Sequence, residues 1–118
     1  MAAKITIWHK ATCVKSNEVM RALKDEGIHP SVFEYIETPP DEAALKAVLK
    51  KLGIPAEALV RKKEKIYKEK FEGKKMTEEK WIKAMMKYPI LIERPIVIKG
   101  NKAIIGRPTE KVIPFVEG

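Results

Sequence analysis

The spacing of apolar residues switches repeatedly between the short repeat of strands and the longer repeat of helices. Ile5, Ile7 and Trp8 form a β-prone run that predicts a first strand. A polar turn follows, then a helix from about Thr12 or Cys13 to Glu26. It carries Val19, Met20 and Leu23 on one face, and Gly27 is placed to end it. Ser31 to Ile36, with Val32, Phe33, Tyr35 and Ile36 apolar, reads as a second strand. A strand, helix and strand of this size predict a parallel pair joined by a right-handed crossover.

Thr38-Pro39-Pro40-Asp41 then offers an N-cap, prolines for a first turn and an acidic third position. Ala44, Leu45, Val48, Leu49 and Leu52 continue at helical spacing until Gly53. Pro55 starts a short helix that ends near Arg61. Lys62 to Lys75 is charged and weakly periodic, an exposed helical hairpin or loop anchored by Ile66, Tyr67 and Phe71. Thr77 caps another helix with Trp81, Ile82, Met85 and Met86 facing inward, and Pro89 marks its end. The methionines read as core packing. Pro95 to Lys99 and Lys102 to Gly106 flank Gly100-Asn101, a pair suited to a two-residue type II′ hairpin. Thr109 can cap a last helix, which Pro114 is expected to break or bend early.

The predicted layout is β-α-β, a helical insertion at approximately 40–90, then a hairpin and a helix. Its natural packing is an α/β fold: a four-stranded mixed sheet flanked by helices. The order resembles a thioredoxin-like fold, in which a thiol after the first strand faces a proline before the third. Pro95 is the candidate for that proline, with a cis bond from Arg94. At 118 residues the chain suits one domain, 1–118.

Composition narrows the chemistry. Hydrophobic content of 45% and charge of 34% suit a soluble globular protein, and no apolar run approaches a membrane span. One cysteine forms no intrachain disulfide, so a reducing, cytoplasmic setting is expected. The net charge of +8 comes from 20 Lys and 4 Arg against 14 Glu and 2 Asp. The lysines are interleaved with glutamates, the aromatic residues are scattered, and no nucleic-acid-binding signature is present. Neither nucleic acid nor membrane is expected as a partner, and no metal site or bound cofactor is indicated. Arginine is scarce, at Arg21, Arg61, Arg94 and Arg107, and a lysine-rich chain uses its planar fork where bidentate geometry matters.

Cys13 sits where a strand gives way to a helix, facing unpaired N–H groups and the positive end of the helix dipole. His9, Lys10 and Lys15 are close in sequence, and the Ser16 hydroxyl is within reach of the sulfur. Two readings stand: an activated nucleophile, or a buried structural cysteine.

Several separated motifs then converge. Ile-Thr-Ile-Trp-His9, Cys13-x-x-Ser16, Tyr35-Ile-Glu-Thr-Pro-Pro and Ala58-Leu-Val-Arg61-Lys occur in that order. Tyr88-Pro-Ile-Leu-Ile-Glu-Arg94-Pro-Ile-Val and Gly106-Arg107-Pro-Thr-Glu follow. Along nearly its whole length the chain resembles the glutaredoxin-linked, ArsC-type arsenate reductases. The resemblance implies that Cys13 attacks arsenate or a similar oxyanion, that Arg61, Arg94 and Arg107 hold it, and that His9 tunes and Ser16 supports the thiolate. It also implies glutathione and glutaredoxin as external reductants, with glutathione a co-substrate rather than a bound cofactor. His9 can equally be a hydrogen-bonded strand-end residue, and Arg21 reads as a surface residue. The arginines at 94 and 107 are expected to point into an open site.

The loop before the cysteine departs from the family's usual His-Asn-Pro-x-Cys. Here it is His9-Lys10-Ala11-Thr12-Cys13, and Asn17 stands where arginine is frequent. Two alternatives remain: an Spx-like redox or transcription regulator that binds RNA polymerase, and a glutathione-dependent thiol reductase. Spx-type switches commonly use Cys-x-x-Cys, whereas this chain has Cys13-Val-Lys-Ser16.

Overall fold

The computed structural model describes residues 4–118. They fall into two compact units. One ends at Thr38 and resumes from Arg94 to Gly118, and the other is Pro39–Glu93.

The first unit is a four-stranded sheet of order β2-β1-β3-β4, built from β1 (Ile5–Trp8), β2 (Ser31–Phe33), β3 (Ile96–Lys99) and β4 (Lys102–Ile105). β1 runs parallel to β2 and antiparallel to β3, and β3 runs antiparallel to β4. Alternation along the strands assigns the two faces. Ile7 and Val97, which are register partners, meet Val19 and Leu23 of α1 (Val14–Asp25) and Val112 and Val116 of α5 (Val112–Glu117) in one buried cluster. Trp8 and Ile96 are buried on the other face, where the Trp8 ring lies 5.1 Å from Phe33 and 6.0 Å from Tyr35. This is the expected mixed, thioredoxin-like sheet.

Chain direction is set by a few special residues. Gly27 takes φ 74° just after α1, and Gly100 takes φ 62° in the hairpin, as a II′ turn requires at its first central residue. β2 is shorter than its apolar run suggests. After Phe33 the chain turns, with Glu37 and Thr38 N–H groups donating to the Glu34 carbonyl, and Tyr35 is fully buried outside the strand. Pro114 does not break α5. It is the third residue of that helix, within the first turn, where a backbone N–H has no helical acceptor to lose.

The second unit contains α2 (Glu42–Leu52), α3 (Lys65–Lys70) and α4 (Glu78–Lys87), with 3₁₀ turns at Ala56–Leu59 and Pro89–Leu91. The α2 cap is Asp41 rather than Thr38. Its carboxylate accepts from Ala44 N–H at 2.8 Å, because the paired prolines keep the preceding chain extended. Thr77 caps α4 through Lys80 N–H at 3.2 Å. Leu45, Val48 and Leu49 of α2 are buried, as are Trp81, Ile82 and Met85 of α4, and Val60 bridges Ile92 in antiparallel fashion. Tyr67, Phe71, Trp81 and Tyr88 form a chain of ring contacts at 5.9–6.3 Å. No helix of the described residues is long and apolar enough to cross a membrane.

Gly106, just past β4, is closely packed on the side where a side chain would start. A Cβ there would lie 3.0 Å from Pro95 Cγ, 3.1 Å from Val19 Cγ2 and 3.3 Å from Val112 Cγ2. Gly106→Ala should therefore destabilise the fold by roughly 1–3 kcal/mol, read as a lower midpoint in urea. An unchanged midpoint would mean that the three neighbours yield freely.

Candidate active site

Three chain segments reach one end of the sheet. β1 leaves at Trp8 and runs into the cysteine loop. β3 enters at Ile96, the register partner of Trp8, directly after Arg94-Pro95. β4 leaves at Ile105, the partner of Ile96, into Gly106-Arg107-Pro108. The bonds from Arg94 to Pro95 and from Arg107 to Pro108 are both cis. The first was anticipated in the sequence and the second was not.

The loop is a closed turn, with Cys13 N–H donating to the Lys10 carbonyl at 2.9 Å. It contains no proline, and side chains brace it. Asn17 Nδ2 donates to the Ala11 carbonyl at 2.8 Å, Lys10 Nζ to Thr12 Oγ1 at 2.6 Å, and Lys10 N–H to Ser16 Oγ at 3.2 Å. Asn17 thus ties the loop to the helix below it, a role that its sequence position did not announce.

His9 and Ser16 are both buried, and His9 Nδ1 lies 2.6 Å from Ser16 Oγ. Burial pushes the His9 pKa down, against an opposing pull from Glu34, which favours the neutral ring. A neutral ring protonated on Nε2 accepts from the Ser16 hydroxyl, which still accepts from Lys10 N–H. The Ser16 oxygen is thus engaged by His9 and Lys10, while the Ser16 amide faces the sulfur. A small cavity of about 140 Å³ adjoins the loop, lined by His9, Lys10, Thr12, Glu34 and Glu37 among others.

Cys13 is the N-cap of α1 and is partly exposed. Its sulfur makes no formal cap bond, but it is held in a cationic setting. Arg107 Nη2 lies 3.7 Å from Sγ, and the Arg94 guanidinium hydrogen-bonds the sulfur and Tyr35. Burial pushes the Cys13 pKa up. The Ser16 amide, the Arg94 guanidinium and the Lys15 amide outweigh it, so the thiol lies below its ordinary value. Arg107 Nε donates to the Arg94 carbonyl at 2.7 Å, which orients its fork.

The two arginines differ in setting. Arg107 is half-buried, whereas Arg94 is only 5% exposed, so it does not simply point into an open site. Burial disfavours its charge, and Tyr35 and Cys13 restore it with a net upward shift. Tyr35 is therefore a positioning residue for Arg94, signalled in the sequence only by the motif it opens. Arg61 belongs to the second unit. There its Nε donates to Glu64 at 3.0 Å and Nη1 to Glu93 at 3.5 Å, two carboxylates that sequence reasoning did not single out. Among the described residues no three His, Cys, Asp or Glu side chains converge as a metal site.

At one end of a thioredoxin-like sheet the structure thus brings together a lone thiol at a helix start, a cis-proline before β3 and two arginines beside the sulfur. Residues 8–115 match the ArsC family, and the chain belongs to it. It is 44% identical to the uncharacterized Escherichia coli protein YfgD, covering 98% of this chain and 99% of that one. It is 36% identical to a Neisseria meningitidis arsenate reductase, over 92% and 95% of the two chains. The structure of an arsenate reductase from Vibrio cholerae superposes with a TM-score of 0.91 at 38% identity, covering 97% of this chain and 98% of that one.

The thiol setting has a measurable pH signature. Thiolate absorbance, with Cys13→Ser as blank, should rise at a midpoint below the ~8.5 of a free cysteine. Arg94→Gln should move the midpoint upward. The sign for stability follows: a depressed thiol pKa stabilises the fold above the ordinary thiol pKa, and that contribution is lost as pH falls through the lowered value. A midpoint at or above that of free cysteine would mean that burial wins over the cations.

Proposed function

We propose that the protein is a thiol-dependent arsenate reductase in which Cys13 is the nucleophile and Arg94 and Arg107 bind the oxyanion. The observation that carries this reading is the sulfur itself, which lies 3.7 Å from Arg107 Nη2 and is hydrogen-bonded by Arg94. Arsenate is a tetrahedral, mostly dianionic species at neutral pH. A thiolate approaching it is repelled unless cations neutralise both partners, and guanidinium forks match its oxygens. The names and structures of the relatives support the same substrate.

In the proposed reaction the thiolate forms a sulfur–arsenic bond as an arsenic–oxygen bond breaks, and the departing oxygen leaves as hydroxide or water. Reduction from As(V) to As(III) then takes two electrons, supplied when two thiol sulfurs join in a disulfide. Cys13 is the only cysteine and contributes one sulfur at most, so at least one thiol is external. Glutathione followed by glutaredoxin fills that role in our reading. A cytoplasmic setting, where thiols stay reduced, suits this chemistry. His9 and Ser16 act by positioning, since their hydrogen bond fixes the loop on which the sulfur is carried. Arg61 is the third proposed oxyanion ligand. With two of its nitrogens on Glu64 and Glu93, it has its remaining N–H groups to offer.

Arsenate-dependent glutathione consumption with glutaredoxin present tests this. Arg107→Lys keeps charge and loses the fork. A charge-assisted contact is worth roughly 1.5–3 kcal/mol, so kcat/KM should fall about tenfold to a hundredfold. Arg94→Lys should lose as much activity and also lower thermal stability, because Arg94 is buried. Arg21→Lys, on the exposed surface of α1, should be silent. If Arg107→Lys matched Arg21→Lys while Cys13→Ser abolished turnover, the oxyanion clamp would be wrong, and a thiol reductase independent of the arginines would fit better.

A further inference from the structure

A lysine-lined groove lies in the Pro39–Glu93 unit. It has a volume of about 550 Å³ between α4 and a segment made of the end of α3 and the residues that follow it. α4 sets Lys80, Lys83 and Lys87 on the side lining the groove, at a spacing that keeps them on one helical face. Lys70 and Lys74 line it from the other segment. Its floor is apolar: Phe71, Met76, Ala84 and Tyr88.

These five lysines are exposed, and none makes an ion pair among the described residues. Elsewhere in the same unit lysines do find carboxylates, as in Lys46–Glu42 at 3.0 Å and Lys62–Glu57 at 3.0 Å. The one acidic lining residue, Glu69, pairs with Lys65 at 3.7 Å. Like charges one turn apart repel, and an anion lying along the groove would relieve that repulsion.

The type of anion can be narrowed. Single-stranded nucleic acid binds such grooves by stacking bases on free ring faces. Here the rings are already engaged: Phe71 lies 5.9 Å from Trp81 and 6.1 Å from Tyr88, and Lys87 Nζ sits 5.5 Å over the Tyr88 ring. No arginine lines the groove to grip a phosphate bidentately. Flexible point charges around an apolar floor suit carboxylates that flank an apolar side chain, the pattern of a charged rim around a buried anchor.

We propose that this groove docks an acidic segment of a partner protein. Its carboxylates meet the lysine rim, and one apolar side chain rests on the floor. The proposal does not depend on the arsenate reading.

Fluorescence anisotropy on the full chain tests this, with a labelled peptide of glutamates around a central leucine as probe. Binding should weaken as salt is raised and should weaken again when that leucine is replaced by serine. The triple variant Lys80→Gln, Lys83→Gln and Lys87→Gln should lose affinity by at least about tenfold. Lys24→Gln, Lys102→Gln and Lys111→Gln together remove the same charge from the other unit and should change it little. Both triples should retain wild-type circular dichroism and Cys13 alkylation rate, since every substituted lysine is exposed. Equal losses in the two triples would reduce the effect to net charge and overturn the proposal. Displacement of the peptide by a single-stranded oligonucleotide that binds more tightly would overturn it in favour of nucleic acid.

Discussion

The antiparallel pairing of β1 with β3, in the register that sets Trp8 against Ile96, governs this molecule. Antiparallel neighbours place the end of one strand beside the start of the other. The cysteine loop and the Arg94-Pro95 turn therefore share one edge of the sheet. The pairing of Ile96 with Ile105 extends the rule to β4 and delivers Arg107 to the same edge. A slip of one residue would exchange the faces. Ile7 and Val97 could then no longer share the cluster under α1 and α5. The hydrophobic alternation that buries the sheet thus also aligns the chemistry.

On that frame, the charges settle one another. A guanidinium as buried as Arg94 is tolerable only with partners that favour its charge, and Tyr35 and Cys13 supply them. The dependence is mutual, since Arg94 is among the groups that draw the thiol below its ordinary range. Arg107 stands in a different relation. It is half-exposed, its Nε is satisfied by the Arg94 carbonyl, and one Nη is turned to the sulfur. One arginine is thus part of the wall, and the other faces the approach to the sulfur.

Much of this was legible in the sequence, because periodicity and glycine placement are local signals. The Ile5–Trp8 strand, the helix after Cys13, the positive-φ glycines at 27, 53 and 100, and the Thr77 cap all follow from residues close in the chain. The errors arise where a local rule had a competitor. Thr38 and Asp41 are both capping residues, and the prolines between them decided for the latter. Tyr35 continues an apolar run, yet it leaves the strand, and its buried ring serves Trp8 and Arg94. At the site, the thiol and the arginines could be found by type and motif. Asn17 could not, because its value lies in one hydrogen bond to a backbone carbonyl six residues away, and nothing in its identity encodes that geometry. The burial of Arg94 was equally invisible, being a property of the closed sheet end rather than of any segment.

Ser16 occupies the one place on α1 from which a second thiol could most readily reach Cys13, a single helical turn along. It is fully buried, with its oxygen already engaged by His9 and Lys10. With Cys13 the only cysteine, the protein has no second thiol of its own to trap an oxidised sulfur. A sulfenic acid formed on Cys13 by peroxide cannot retreat into an intramolecular disulfide, the usual reversible shelter on the oxidation ladder. A thiol pKa below its ordinary value and partial exposure both favour oxidation at this sulfur. Its lifetime under oxidative stress is set by how fast thiols in the surrounding solution arrive.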